Sequence, residues 1–196
     1  MPEPTTTAEV AQELTGIALV TLWATGGDPR RDELFHMAAI KREGDTWRRF
    51  ELFVAPRKRS GEDPDDPDTK ARATRRMQRE FGVTAADLEG APSADEAWAA
   101  LLAFLGDGPL LVPRRAEFEA WARALDAGDN PFAESYAGAA QLLALDEFHG
   151  LFLPGARPPA EPRDPEALLA AFAGTLRDLG ELPEPVLALA ARGLAR

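Results

Sequence analysis

Apolar positions in this chain follow two rhythms, short continuous runs and longer stretches at helical spacing. Ile17 to Leu22 is a short apolar run between Gly16 and the turn signal Gly26-Gly27-Asp28-Pro29, and it reads as a buried strand. Leu34 to Arg42 and Thr46 to Val54 flank Glu43-Gly44-Asp45, a compact turn, so they read as an antiparallel hairpin. In the second of these, Trp47, Phe50, Leu52 and Val54 give an imperfect alternation. The polar, Pro-rich stretch from Arg57 to Asp68 reads as an exposed loop.

From there the helical period takes over. Ala73, Met77 and Phe81 share one side of a helix over about 69–81, and Arg72, Arg75, Arg76 and Arg79 share another. Ser93 to Glu96 is a capping box that opens a helix to about Leu105, with Trp98, Leu101, Leu102 and Leu105 on its apolar side. Leu110 to Val112 is a short strand, and Pro113-Arg114-Arg115 leads into a helix carrying Phe118, Trp121, Ala122 and Leu125. Leu142 to Leu145 reads as a fifth strand, followed by a short helix to Leu153. After a Pro-rich break over 154–165, Asp164 N-caps a helix with Pro165 at its first position, and that helix runs to Leu179. A last helix is expected over about Glu184 to Ala195.

The order implies an α/β fold, a mixed five-stranded sheet with three leading strands and helices on both sides. The expected organisation is a polar lead-in at 1–14, one domain at 15–180, and a C-terminal helix at 181–196 that could link to a further domain.

Composition narrows the chemistry. With 45% hydrophobic residues the chain can build a core. It has no cysteine, which removes disulfides, thiolate metal sites and a Cys nucleophile, and which fits a cytoplasmic location. Met1 to Thr7 lacks the features of a signal peptide, and no apolar run approaches the ~20 residues of a membrane span, so no membrane partner is expected. The net charge of −11 opposes long-range attraction to nucleic acid. The arginine stripe runs against that trend. Lys70, Arg72, Arg75, Arg76 and Arg79, with Arg114 and Arg115, could grip phosphates, or form a solvated face neutralised by the acidic loop before it.

The two histidines, His36 and His149, read as packed or rim residues rather than ligands, and Trp98 and Trp121 as core. Ser60 and Ser135 have no partnered His in an evident motif, and Gly26-Gly27 alone is a turn rather than a phosphate cradle. Asp28, Asp32 and Glu33 form an acidic group in that turn.

The stretch Val20-Thr21-Leu22-Trp23-Ala24-Thr25-Gly26-Gly27-Asp28-Pro29 resembles the opening strand of the DnaQ-like (DEDD, ribonuclease-H-like) 3′–5′ exonucleases, whose pattern is Val-Asp-x-Glu-Thr-Thr-Gly-x-Asp-Pro. Gly82-Val83-Thr84 through Leu88 and Gly90-Ala91-Pro92-Ser93 resembles the same family's linker, closest to the exonuclease domain at the N-terminus of DinG-type helicases. The resemblance implies a ribonuclease-H-like sheet. It also implies five site positions. Thr21 and Trp23 stand where the family has its first Asp and Glu, and Glu119 stands at the Asp of the second motif. Asp164 and Pro159 stand at the last Asp and the general-base His.

The family's reaction is phosphodiester hydrolysis by two metal ions, which need hard oxygen ligands. A hydroxyl and an indole in place of two carboxylates leave Glu119 and Asp164 as the residual metal candidates. No catalytic residue and no cofactor are expected on this reading. Mg²⁺ or Mn²⁺ enters only if the site has been rebuilt into a divergent nuclease. The expectation is therefore an inactive exonuclease-like module in nucleic-acid metabolism. Its partner would be a protein or an adjacent helicase domain, with single-stranded nucleic acid as a further candidate.

Overall fold

The structure is a computed structural model that describes residues 16–44, 46–55, 78–79, 82–84, 86–125, 142–152 and 164–179. The lead-in, most of the arginine-bearing helix including Lys70, Arg72, Arg75 and Arg76, the C-terminal helix, Ser60, Ser135 and Pro159 lie outside the described residues.

Five strands form one mixed sheet in the order β3-β2-β1-β4-β5. They are β1 (Ala18–Ala24), β2 (Leu34–Glu43), β3 (Thr46–Phe53), β4 (Leu110–Val112) and β5 (Leu142–Ala144). β2 runs antiparallel to both β1 and β3, while β4 and β5 run parallel to β1. This is the mixed five-stranded sheet with three leading strands that the sequence leads one to expect. The hairpin turn between β2 and β3 passes through Gly44, whose φ of +60° suits a residue without a Cβ.

The helices are α1 (Ala94–Leu105), α2 (Arg115–Leu125), α3 (Leu145–Phe152) and α4 (Pro165–Leu179). The Ser93–Glu96 capping box forms: Ser93 N–H donates to Glu96 at 2.9 Å, and Glu96 N–H donates to the Ser93 hydroxyl at 3.4 Å. Among the described residues no helix is long and apolar enough to cross a membrane.

β1 is apolar on both faces because helices cover both. Side chains alternate across a strand, so Ala18, Val20 and Leu22 point one way and Ile17 and Leu19 the other. The first set packs with Trp98 and Leu101 of α1 and Phe118 and Trp121 of α2. The second packs with Phe148 of α3 and Leu168, Phe172 and Leu176 of α4. Burying an aromatic side chain such as Trp121 or Phe172 contributes roughly 2–3 kcal/mol. Trp98 and Trp121 are core residues, as their spacing suggests.

β1 runs two residues further than its apolar run. Trp23 pairs with His36 and Ala24 with Leu34, so strand pairing continues past Leu22. Phe35 has no partner in this register and forms a β-bulge in β2.

Candidate functional site

Thr21 and Trp23 lie two apart on β1, so both side chains emerge on the face covered by α4. Thr21 is 1% exposed, and its hydroxyl has no hydrogen-bond partner among the described residues. Trp23 is half-buried at the carboxyl end of the strand. The bulge at Phe35 gives it aromatic neighbours on one strand. Its ring lies 5.7 Å from that of Phe35 and 5.8 Å from that of His36, centroid to centroid. With Phe53, Val83 and Leu88, Trp23 and Phe35 make a small third apolar cluster.

His36 is 6% exposed and sits 4.9 Å from the Phe53 ring. Its Nε2 is 3.1 Å from the Glu51 carboxylate, and its Nδ1 is buried with no partner among the described residues. Burial pushes the imidazole pKa below its ordinary value, against the pull of Glu51. Burial also pushes the Glu51 carboxyl up, but hydrogen bonds from Arg49 and His36 outweigh it and hold that carboxyl low. Arg49 donates to Glu51 at 3.0 Å and pairs with Glu166 in the first turn of α4. A chain of polar contacts thus crosses from β2 through β3 to α4.

The two remaining carboxylates of the expected set have other duties. Glu119 pairs with Arg115 at 3.5 Å and with Arg123 at 3.6 Å along α2. Asp164 accepts from Ala167 N–H at 2.7 Å, and its carbonyl accepts from Leu168 N–H, which is the N-cap expected of it. Among the described residues no group of three or more His, Cys, Asp or Glu side chains is arranged to hold a metal ion.

Of the expected phosphate-gripping residues, Arg79 is exposed. Arg114 lies 4.0 Å from Glu117 at the rim of a small cleft lined by Val20, Leu22, Pro113 and Phe118. Arg115 is occupied internally. It donates to the Leu142 carbonyl at 2.5 Å and to Glu147 at 2.7 Å, tying α2 to β5 and α3. The acidic group in the first turn is also internal. Asp32 accepts from Asp28 N–H at 2.9 Å and from the Thr25 hydroxyl at 3.4 Å.

The His36–Glu51 pair and the bulge at Phe35 are the features that the sequence reading omits. The pair was reachable by counting outward from the turn at Gly44, which sets His36 opposite Phe53 and Ala38 opposite Glu51. The bulge leaves no comparable signal.

No family model matches this chain, and no curated protein matches it. Solved structures do. One described as "crystal structure of full-length 3'-exonuclease" is 14% identical, with a TM-score of 0.43 over 83% of this chain and 80% of that one.

Proposed function

We propose that this chain is an exonuclease-like domain that does not cut, and that it serves as a protein-interaction or scaffolding module in nucleic-acid metabolism. The observation that carries this reading is Trp23, whose indole packs among Phe35, His36 and Leu88 where the resembled family has a carboxylate. Such an indole offers a metal no oxygen, and repacking it would disturb a cluster shared by three strands.

The rest of the donor set supports the same reading. Mg²⁺ requires several hard oxygens in near-octahedral geometry. Thr21 supplies one neutral, buried hydroxyl. Glu119 is neutralised by two arginines, and Asp164 spends an oxygen on its own helix. These residues do not suit a two-metal centre. A protein partner, or a helicase domain joined to this one, would then use the fold for its shape.

The test is a Mg²⁺ and Mn²⁺ titration with end-labelled single-stranded DNA and RNA. The expected result is full-length substrate at every metal concentration. Metal-dependent cleavage that disappears in Glu119→Gln would replace this reading with a divergent nuclease. Retention of uncut strand that weakens steeply with salt would point instead to a non-catalytic nucleic-acid binder.

A further inference from the structure

β3 is the edge of the sheet, and no described strand lies beyond it. Thr46, Trp47, Arg48, Arg49 and Glu51 are all exposed, with Trp47 at 37%. Eight residues is long for an edge strand. The hydrogen-bond pattern fixes which groups point outward. Val54 N–H donates to the Phe35 carbonyl at 2.9 Å, and the β2–β3 register continues that pairing to Leu52, Phe50 and Arg48. In an antiparallel ladder the bonded pairs alternate. Trp47, Arg49, Glu51 and Phe53 therefore direct their N–H and C=O groups away from β2. Ala55, next in that series, bears the geometry out, since its N–H reaches across to the Pro92 carbonyl.

We infer that this edge pairs with the same edge of a second copy of the chain, antiparallel, about a two-fold axis at Phe50. The parity of the strand and its charges select that register together. Bonded pairs across the new seam must join outward-facing residues, which leaves axes at Arg48, Arg49, Phe50 or Glu51 as the central options. An axis at Arg49 sets arginine against arginine, and one at Glu51 sets glutamate against glutamate; like charges directly opposite are destabilising. An axis at Arg48 stacks Arg48 on its own copy. An axis at Phe50 sets Arg49 opposite Glu51 of the second copy, twice, and Trp47 opposite Phe53. Phe50 meets its own copy in a non-bonded pair, where side chains approach most closely.

Charges on an edge strand ordinarily discourage pairing. Here their order, Arg49-Phe50-Glu51, is self-complementary, as a two-fold interface requires. The seam lies at the opposite side of β2 from β1, so it is independent of whether the β1 site can cut.

Sedimentation equilibrium of the whole chain tests the idea. The wild type is expected to approach twice the mass of one chain as concentration rises. Arg49→Glu alone and Glu51→Arg alone are each expected to stay at one, because each sets like charges across the seam twice. Mixing those two variants restores opposite charges at both positions, and the mixture is expected to recover the doubled mass. Recovery on mixing cannot arise from the Arg49–Glu51 contact within one chain. Since the chain has no cysteine, Phe50→Cys provides a second readout: it is expected to form a disulfide-linked dimer on mild oxidation, and Arg48→Cys is not. A single-chain mass at every concentration, no recovery on mixing, or equal crosslinking at the two positions would overturn the proposal. The first of those outcomes would leave the edge to a strand from another protein.

Discussion

His36 and Glu51 meet at 3.1 Å between a buried strand and an exposed one, and the imidazole of this pair has its pKa lowered by burial. The sign of the linked pH effect follows. The unfolded chain takes up a proton at the ordinary histidine pKa, while the folded ring resists it, so the unfolded state binds more protons in that window. Stability is therefore complete above the ordinary value and declines as pH falls through it. Glu51, held low, adds a further loss only at more acid pH. Urea midpoints measured across this range are expected to fall with pH in the wild type and to flatten in His36→Phe. An unchanged slope in the variant would remove His36 as the cause.

The Thr21 hydroxyl gives an opposite kind of prediction. It is buried with no partner among the described residues, and an unsatisfied buried hydroxyl costs about 1–3 kcal/mol. Thr21→Val keeps the shape and removes the polar atom, so its urea midpoint is expected to equal or exceed that of the wild type. A clear drop would reveal a partner for the hydroxyl.

Arg115 is a structural charge. Arg115→Met loses the bonds to the Leu142 carbonyl and to Glu147. Bonds made by charged groups are worth about 1.5–3 kcal/mol, so thermal unfolding is expected several degrees lower. An unchanged melting temperature would refute the assignment.

Gly26 is required by contact rather than by its backbone angle. A Cβ placed there would stand 2.4 Å from the Asp32 carboxylate, which itself bonds Asp28 N–H. Gly26→Ala is expected to destabilise by about 1–3 kcal/mol, the range for overpacking. In an Asp32→Ala background the clashing atoms are gone, and the added cost of Gly26→Ala should nearly vanish. Additive effects in chemical denaturation would argue against the clash.

Local signals carried most of the fold. The apolar run at Ile17, the turn at Gly44, the capping box at Ser93 and the N-cap at Asp164 each act within a few residues, and each formed its expected element. The features of the site that were not legible join distant segments. Arg115 reaches Glu147 and the Leu142 carbonyl, Arg49 reaches Glu166, and the end of β1 is set by pairing with β2 rather than by its own hydrophobicity. Period and propensity carry no information about such contacts. The occupation of Glu119 by Arg115 and Arg123 was different: spacing of four along a helix makes it readable, but the family resemblance directs attention to a metal instead.

The bulge at Phe35 also governs which changes of chain length β2 can absorb. β1 passes from Trp23 to Ala24 while β2 passes from His36 to Leu34, so one residue stands outside the pairing. Removing it would restore ordinary pairing rather than break it. With Phe35 gone, Leu34 and His36 become neighbours that face opposite ways, as Ala24 and Trp23 already do, so Leu34 keeps its place beside Val20 and Met37 and His36 keeps Glu51 and Trp23. The loss would fall on the aromatic cluster that Phe35 shares with Trp23. Deleting a residue from the regular part of β2, such as Ala38 or Ala39, would instead exchange the two faces on one side of the cut, and should be tolerated far less well than deletion at position 35.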